Sequence, residues 1–218
     1  GSRYDSCMTG FGLNSLMGLK EEIYEKIKDM SGGLIIKEYP TKSASTQTLR
    51  AHLEKLRKRE VPIDMIIVDY GDLLRPVSAQ KEKRNELESI YEEMRGIAQE
   101  YECPVWTASQ TNRSGLNADV ITMESISEAF NKCFVADFIC SISRTAEDKV
   151  ANTARMFVAK NRNGIDGLVY PMYMDTRNIE LKVLPYQGDT PSSIATITAK
   201  EQKGKLREKY KEFKEERK

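Results

Sequence analysis

The side chains whose type and placement could do chemistry are Asp69 and Gln110, each closing an apolar run, and the cations Lys160 and Arg162 beside a turn. Asp69 closes Met65-Ile66-Ile67-Val68, an apolar run with β-branched residues and too short for a helix. Such a run reads as a strand buried on both faces of a parallel sheet. In an open α/β sheet the ligand crevice lies beyond the carboxyl ends of the strands, where Asp69 falls. An aspartate there can hold a divalent cation, and it can equally cap the next turn. Gln110 closes a second run, Cys103-Pro104-Val105-Trp106-Thr107-Ala108-Ser109, and shares an edge with Asp69 if the strands are parallel. Its amide can donate to a phosphate and accept from a bound water. Lys160 and Arg162 precede Asn163-Gly164, a turn dipeptide, so both project from a hairpin tip, where charges are ordinarily solvated.

These residues need strands to hold them and helices to cover the strands. Leu16, Leu19, Ile23 and Ile27 recur at helical spacing, which predicts an amphipathic helix over 14–30 that Ser31-Gly32-Gly33 ends. Residues 34–39 read as a strand closed by Pro40. Ser45 or Thr46 can cap a helix with Leu49, Leu53 and Leu56 inside and a basic outer face, which Val61-Pro62 ends. Residues 81–101 read as a long helix with Leu87, Ile90, Met94, Ile97 and Ala98 inward. The polar stretch 111–126, with Arg113, Ser114 and Asn117, is longer than an ordinary connection, and long loops in compact α/β domains are commonly functional. A short helix over 124–134 leads into strands over 135–142 and 153–160. Strands over 168–174 and 179–183 close an antiparallel C-terminal sheet. The expected organisation is a body over 1–184, then a linker and a charged helical tail over 185–218.

Composition excludes several chemistries. His52 is the single histidine and lies among charged residues, which argues against Ser-His-Asp, Cys-His and histidine-metal sites. The cysteines, Cys7, Cys103, Cys133 and Cys140, have no C-x-x-C spacing and fit reduced thiols in a cytoplasmic protein better than zinc or disulfides. No apolar run approaches a membrane span. Lys and Arg total 34 against 33 Asp and Glu, so net charge gives no general signal for nucleic acid; only the tail from Lys200 is basic.

Several pieces together resemble one family. Residues 64–74, V-W-T-A-S-Q-T-N-R-S from Val105, A-D-F-I-C-S-I-S-R from Ala136 and A-K-N-R-N-G-I-D-G from Ala159 are similar, in order and chemistry, to the RecA-like motor domain of DnaB-type hexameric replicative helicases, viral members in particular. The resemblance spans about 34–181, and its most specific part is S-Q-x-N-R combined with K-x-R-N-G. It implies a RecA-like P-loop NTPase core of the α/β class, with a mostly parallel sheet flanked by helices and a C-terminal antiparallel hairpin. By this resemblance Asp69 is the Walker B ligand of Mg2+ and Gln110 senses the γ-phosphate of ATP. Lys160 and Arg162 reach the nucleotide of a neighbouring subunit, Arg162 as arginine finger. Arg113, Ser114, Asn117 and Ser127 fall in the loop that faces single-stranded DNA. A hexameric ring, a primase or loader as partner and a bacterial host cytoplasm are implied as well.

The departure from the family is informative. No G-x-x-x-x-G-K-[ST] occurs: the Gly204-Lys205 pair is followed by Leu206 in the charged tail. That loop cradles the triphosphate with its backbone amides and lysine, so the expectation is a partial motor without ATPase activity of its own. The alternatives are a P-loop-less nucleic-acid-binding or assembly module, and a recombinase-type RecA-like ATPase.

Overall fold

The computed structural model describes residues 2–78, 81–111, 118–123, 131–191 and 194. The chain divides into two compact units, one of residues 32–116 and 122–139, the other of 1–31, 117–121 and 140–218. In chain order the elements are α1 (Ser2–Thr9), α2 (Lys20–Ile27), α3 (Thr46–Arg57), β1 (Ile66–Val68), α4 (Lys83–Glu100), β2 (Val105–Thr107), α5 (Asn131–Val135), β3 (Phe138–Ser143), α6 (Ala146–Ala151), β4 (Thr153–Asn161), β5 (Val169–Asp175) and β6 (Glu180–Val183).

In the first unit β1 and β2 pair in parallel, Ile66 opposite Val105 and Val68 opposite Thr107, as the sequence predicts. Their support is α4, whose Leu87, Ile90, Tyr91, Met94 and Ile97 recur at helical spacing and are all buried. Ile90, Tyr91 and Met94 form one cluster with Ala44 and Leu74, against which Leu49, Val68, Val105 and Val135 pack. Ser45 starts α3 with a capping box: its hydroxyl accepts from the Thr48 amide and its own amide donates to the Thr48 hydroxyl. Arg50 then ties α3 to α4 through the Glu100 carboxylate, 2.8 Å away.

Three expectations change. The Met65–Val68 run is not buried on both faces: Ile67 is 69% exposed and Trp106, opposite it, 46%. The pleat sends Ile66 and Val68 to one side and Ile67 to the other, and α4 supplies apolar cover on the first side only. Residues 34–39 form no strand, because a strand exists only through ladder bonds and no segment among the described residues pairs with them; Leu34, Ile35 and Ile36 stay exposed. The helix expected over 14–30 splits into a 3-10 turn at Leu16–Gly18 and the shorter α2, of which no residue is buried. Gly18 sits at the break, where its backbone freedom makes helix continuation costly.

In the second unit the sheet order is β3-β4-β5-β6, with β4, β5 and β6 antiparallel. Phe157 and Val169 pack with Ile194, Val120 and Ala159. The helix α6 was not anticipated, although its ends follow ordinary rules: Thr145 and Asp148 make a capping box and Asn152 closes it at φ +54°. Residues 185–191, expected as a linker, lie along β5, where the Val169 amide donates to the Asp189 carbonyl at 3.1 Å. The basic tail lies outside the described residues.

Candidate functional site

The turn that carries Asp69 is fixed from β2. Thr107, across from Val68 at the end of β2, donates through Oγ1 to the Val68 carbonyl (2.9 Å) and accepts the Gly71 amide (2.8 Å). Glycine at position 71 leaves room for this arrangement, since a Cβ there would lie 2.9 Å from Met94 Cε and 3.2 Å from Thr107 Oγ1 and would force both to shift. The amides of Leu73 and Leu74 bond to the carbonyls of Tyr70 and Gly71, so the turn satisfies itself through its backbone. Asp69 therefore does not cap it. The Asp69 carboxylate is exposed and makes no hydrogen bond or ion pair among the described residues.

Gln110 reaches the same turn, its Nε2 donating to the Tyr70 hydroxyl at 2.9 Å. The structure thus brings Gln110 to the residue after Asp69, as the parallel pairing implies. No group of three or more His, Cys, Asp or Glu side chains able to hold a metal occurs among the described residues. A lone exposed carboxylate at a strand end fits Mg2+, which takes one or two protein carboxylates and fills its octahedron with water and phosphate oxygens.

Beneath Gln110 lies a polar cluster that sequence reasoning missed. Lys132 on α5 is 3% exposed; its Nζ lies 3.1 and 3.3 Å from the Asp72 carboxylate oxygens and 2.6 Å from Ser109 Oγ. Ser109 donates to Asp72 Oδ2 and the Tyr91 hydroxyl to Asp72 Oδ1, each at 3.0 Å. Burial, and then the charge and hydrogen bond of Asp72, push the Tyr91 phenol well above its usual value, so it remains a donor. Arg95 anchors the far end of α5, donating to the Val135 carbonyl at 2.6 Å and pairing with Asp137 at 3.0 Å. The available signal was a lysine inside the apolar stretch Phe130-Asn131-Lys132-Cys133-Phe134.

Lys160 and Arg162 belong to the other unit, at the end of β4 and the start of its hairpin turn. Lys160 is half-buried and Arg162 exposed. Asn161 between them builds the turn, accepting the Asn163 amide on Oδ1 (3.3 Å) and donating to the Ile165 carbonyl (3.3 Å). Arg113, Ser114, Asn117 and Ser127 lie outside the described residues. Among the described residues no helix is long and apolar enough to cross a membrane.

A family model for the DnaB-like helicase C terminal domain matches residues 15–178. The DnaB-like replicative helicase of Enterobacteria phage T4 is 29% identical over 181 residues, covering 80% of this chain and 38% of that protein. Replicative DNA helicase DnaB of Geobacillus stearothermophilus is 27% identical over 161 residues, covering 68% of this chain and 34% of its own length. The chain thus spans little more than a third of the curated relatives it matches. Among solved structures, the ATPase domain of G40P superposes with a TM-score of 0.69 at 16% identity, over 84% of this chain and 69% of that one. A DnaB-like replicative helicase whose structure was determined with its interactions with primase gives 0.70 at 15% identity, over 84% and 48%. The fold is α/β and RecA-like, and the chain belongs to the DnaB-like helicase C-terminal domain family.

Proposed function

We propose that the chain is part of the ATP-dependent motor of a replicative DNA helicase, which opens duplex DNA by translocating on one strand. The observation that carries this reading is the Gln110–Tyr70 hydrogen bond, which joins the end of β2 to the turn whose first residue offers an unengaged carboxylate. Asp69 is the protein ligand of Mg2+. Held there, the cation would supply positive charge against the phosphates of a bound nucleotide. Gln110 presents its amide to the γ-phosphate, so loss of that phosphate is felt at Tyr70 and at the chain that follows Gln110. Lys160 and Arg162 of one subunit meet the triphosphate held by the next, Arg162 stabilising the transition state as arginine finger, which requires a ring. Arg113, Ser114, Asn117 and Ser127 hold single-stranded DNA mainly through phosphate contacts, with little sequence preference. The assembly is a homohexamer that works with a primase or loader in the cytoplasm of a bacterial host.

Since the 218 residues contain no phosphate-binding loop, Asp69 and Gln110 alone hold Mg-ATP weakly, and this chain by itself does not hydrolyse ATP. The test is steady-state ATP turnover, with and without single-stranded DNA, for this chain and for a chimera that places the P-loop segment of a DnaB-like helicase before it. The expected result is no turnover by the chain, and DNA-stimulated turnover by the chimera that Asp69→Ala removes. Turnover by the chain alone that Asp69→Ala abolishes overturns the inactive reading. A folded chimera that binds DNA but never turns over ATP overturns the motor and leaves a binding or assembly module.

A further inference from the structure

We infer that Lys132 is a positioning residue of the Asp69–Gln110 site: clamped between the Asp72 carboxylate and the Ser109 hydroxyl, its ammonium sets the turn after β1 and the end of β2 in register. The functional meaning of that register rests on the proposed role of Gln110. The geometry itself does not.

Burial is the first argument. An ammonium at 3% exposure loses most of its hydration, and an apolar side chain of similar volume would fill the place at lower cost. Saturation is the second. Asp72 Oδ1 accepts from Tyr91 and Lys132, and Oδ2 from Ser109 and Lys132, so the carboxylate is held in one orientation by three side chains. The third is adjacency. Ser109 immediately precedes Gln110, and Asp72 follows Tyr70 by two residues, so each end of the Gln110–Tyr70 hydrogen bond lies one or two residues from a partner of Lys132. Arg95 fixes the end of α5, so the lysine stem reaches from a pinned helix. Ser109 and Lys132 lie 23 residues apart in the chain, and their 2.6 Å contact joins the segment that ends at Gln110 to α5.

A Ser-Lys nucleophile is the competing use of a hydroxyl 2.6 Å from an amine. Ser109 already donates its proton to Asp72, and Lys132 is ion-paired with the same carboxylate. The lysine is therefore a donor here and takes no proton from the serine.

The test uses this chain with labelled glutamine side chains and follows solvent exchange of the Gln110 amide protons by NMR. The methyls of Ile90 and Val169 report the fold of the two units. The variants are Lys132→Met and Lys132→Met/Asp72→Asn, the second leaving no buried charge unpaired if the first fails to fold. Ile97→Val, a small core deletion away from the cluster, controls for general loosening. The expected result is Gln110 exchange faster by about tenfold in the Lys132 variants, as for local opening of one hydrogen bond, with the reporter methyls and the Ile97→Val exchange unchanged. Unchanged Gln110 exchange in a folded Lys132 variant, or an equal rise in Ile97→Val, overturns the proposal. Paramagnetic broadening around Asp69 by Mn2+ in the unaltered chain reads the metal assignment separately: its absence removes that assignment without touching the Lys132 result.

Discussion

The two units hold their polar residues in opposite ways. In the β1–β2 unit the side chains that orient the Asp69 turn reach it from distant sequence: Thr107 to Val68, Gln110 to Tyr70, Lys132 to Asp72. In the other unit the turn beside Arg162 is closed within five residues, by the Asn161 side chain bonding to Asn163 and Ile165. A site assembled from several segments suits a small ligand that must be met from several sides at once. A hairpin with a locally made tip is a rigid arm, suited to carrying a cation outward to a partner.

The contrast predicts most for Arg162. In the ATPase-competent chimera, Arg162→Ala is expected to lower turnover by about 10³ to 10⁵, roughly 4 to 7 kcal/mol of transition-state stabilisation, with an unchanged melting temperature. A fall of several degrees would make the side chain structural and break the comparison. Next comes the platform under β1 and β2. Ile97 is 1% exposed, and Ile97→Ala should cost about 2–5 kcal/mol by urea denaturation, because the cavity cannot close against a packed helix.

The two glycines sharpen the comparison. Gly71→Ala drives a methyl against Met94 and the Thr107 hydroxyl that positions the turn, at about 1–3 kcal/mol. At Gly164 the methyl would lie 2.6 Å from Asn161 Nδ2, the end of a side chain that can rotate away. Gly164→Ala should therefore cost only about 0.5–1.5 kcal/mol, the worth of the local hydrogen bonds it displaces. Equal costs would mean that the hairpin tip is as tightly determined as the Asp69 turn.

The smallest effect concerns Asp148, the capping carboxylate of α6. Burial raises its pKa, but the Thr145 amide, the Thr153 and Thr145 hydroxyls and Arg155 outweigh burial and hold it below the ordinary value. A carboxylate depressed in the folded state contributes stability above its unfolded pKa and loses it as pH falls through the folded one. Asp148→Asn should accordingly cost about 0.5–2 kcal/mol at neutral pH, and its melting temperature should begin to converge on that of the unaltered chain as pH falls below about 4, converging fully only below the folded pKa.

Much of the fold was legible because it rests on short-range rules. The stripe of α4, the Ser45 cap, the parallel order of β1 and β2 and the Asn-Gly hairpin all follow from spacing and turn chemistry. Residues 34–39 were misread because an apolar, β-branched run states a preference for extended backbone and says nothing about whether a neighbour will pair with it. Ile67 was misread for the same reason: its cover is a property of another segment. The α6 cap at Thr145 was legible and overlooked, behind a strand assignment on either side.

The sequence alone was enough for the family and for the motifs in which Asp69, Gln110, Lys160 and Arg162 stand, because motif spacing survives without coordinates. How the turn of Asp69 and the side chain of Gln110 are held came from contacts between distant segments. A threonine hydroxyl shared between two strand ends, and a lysine buried on a carboxylate 60 residues away in the chain, cannot be read from spacing. Desolvation and hydrogen-bond geometry arise only when distant segments meet, and those forces fix where a charge can sit.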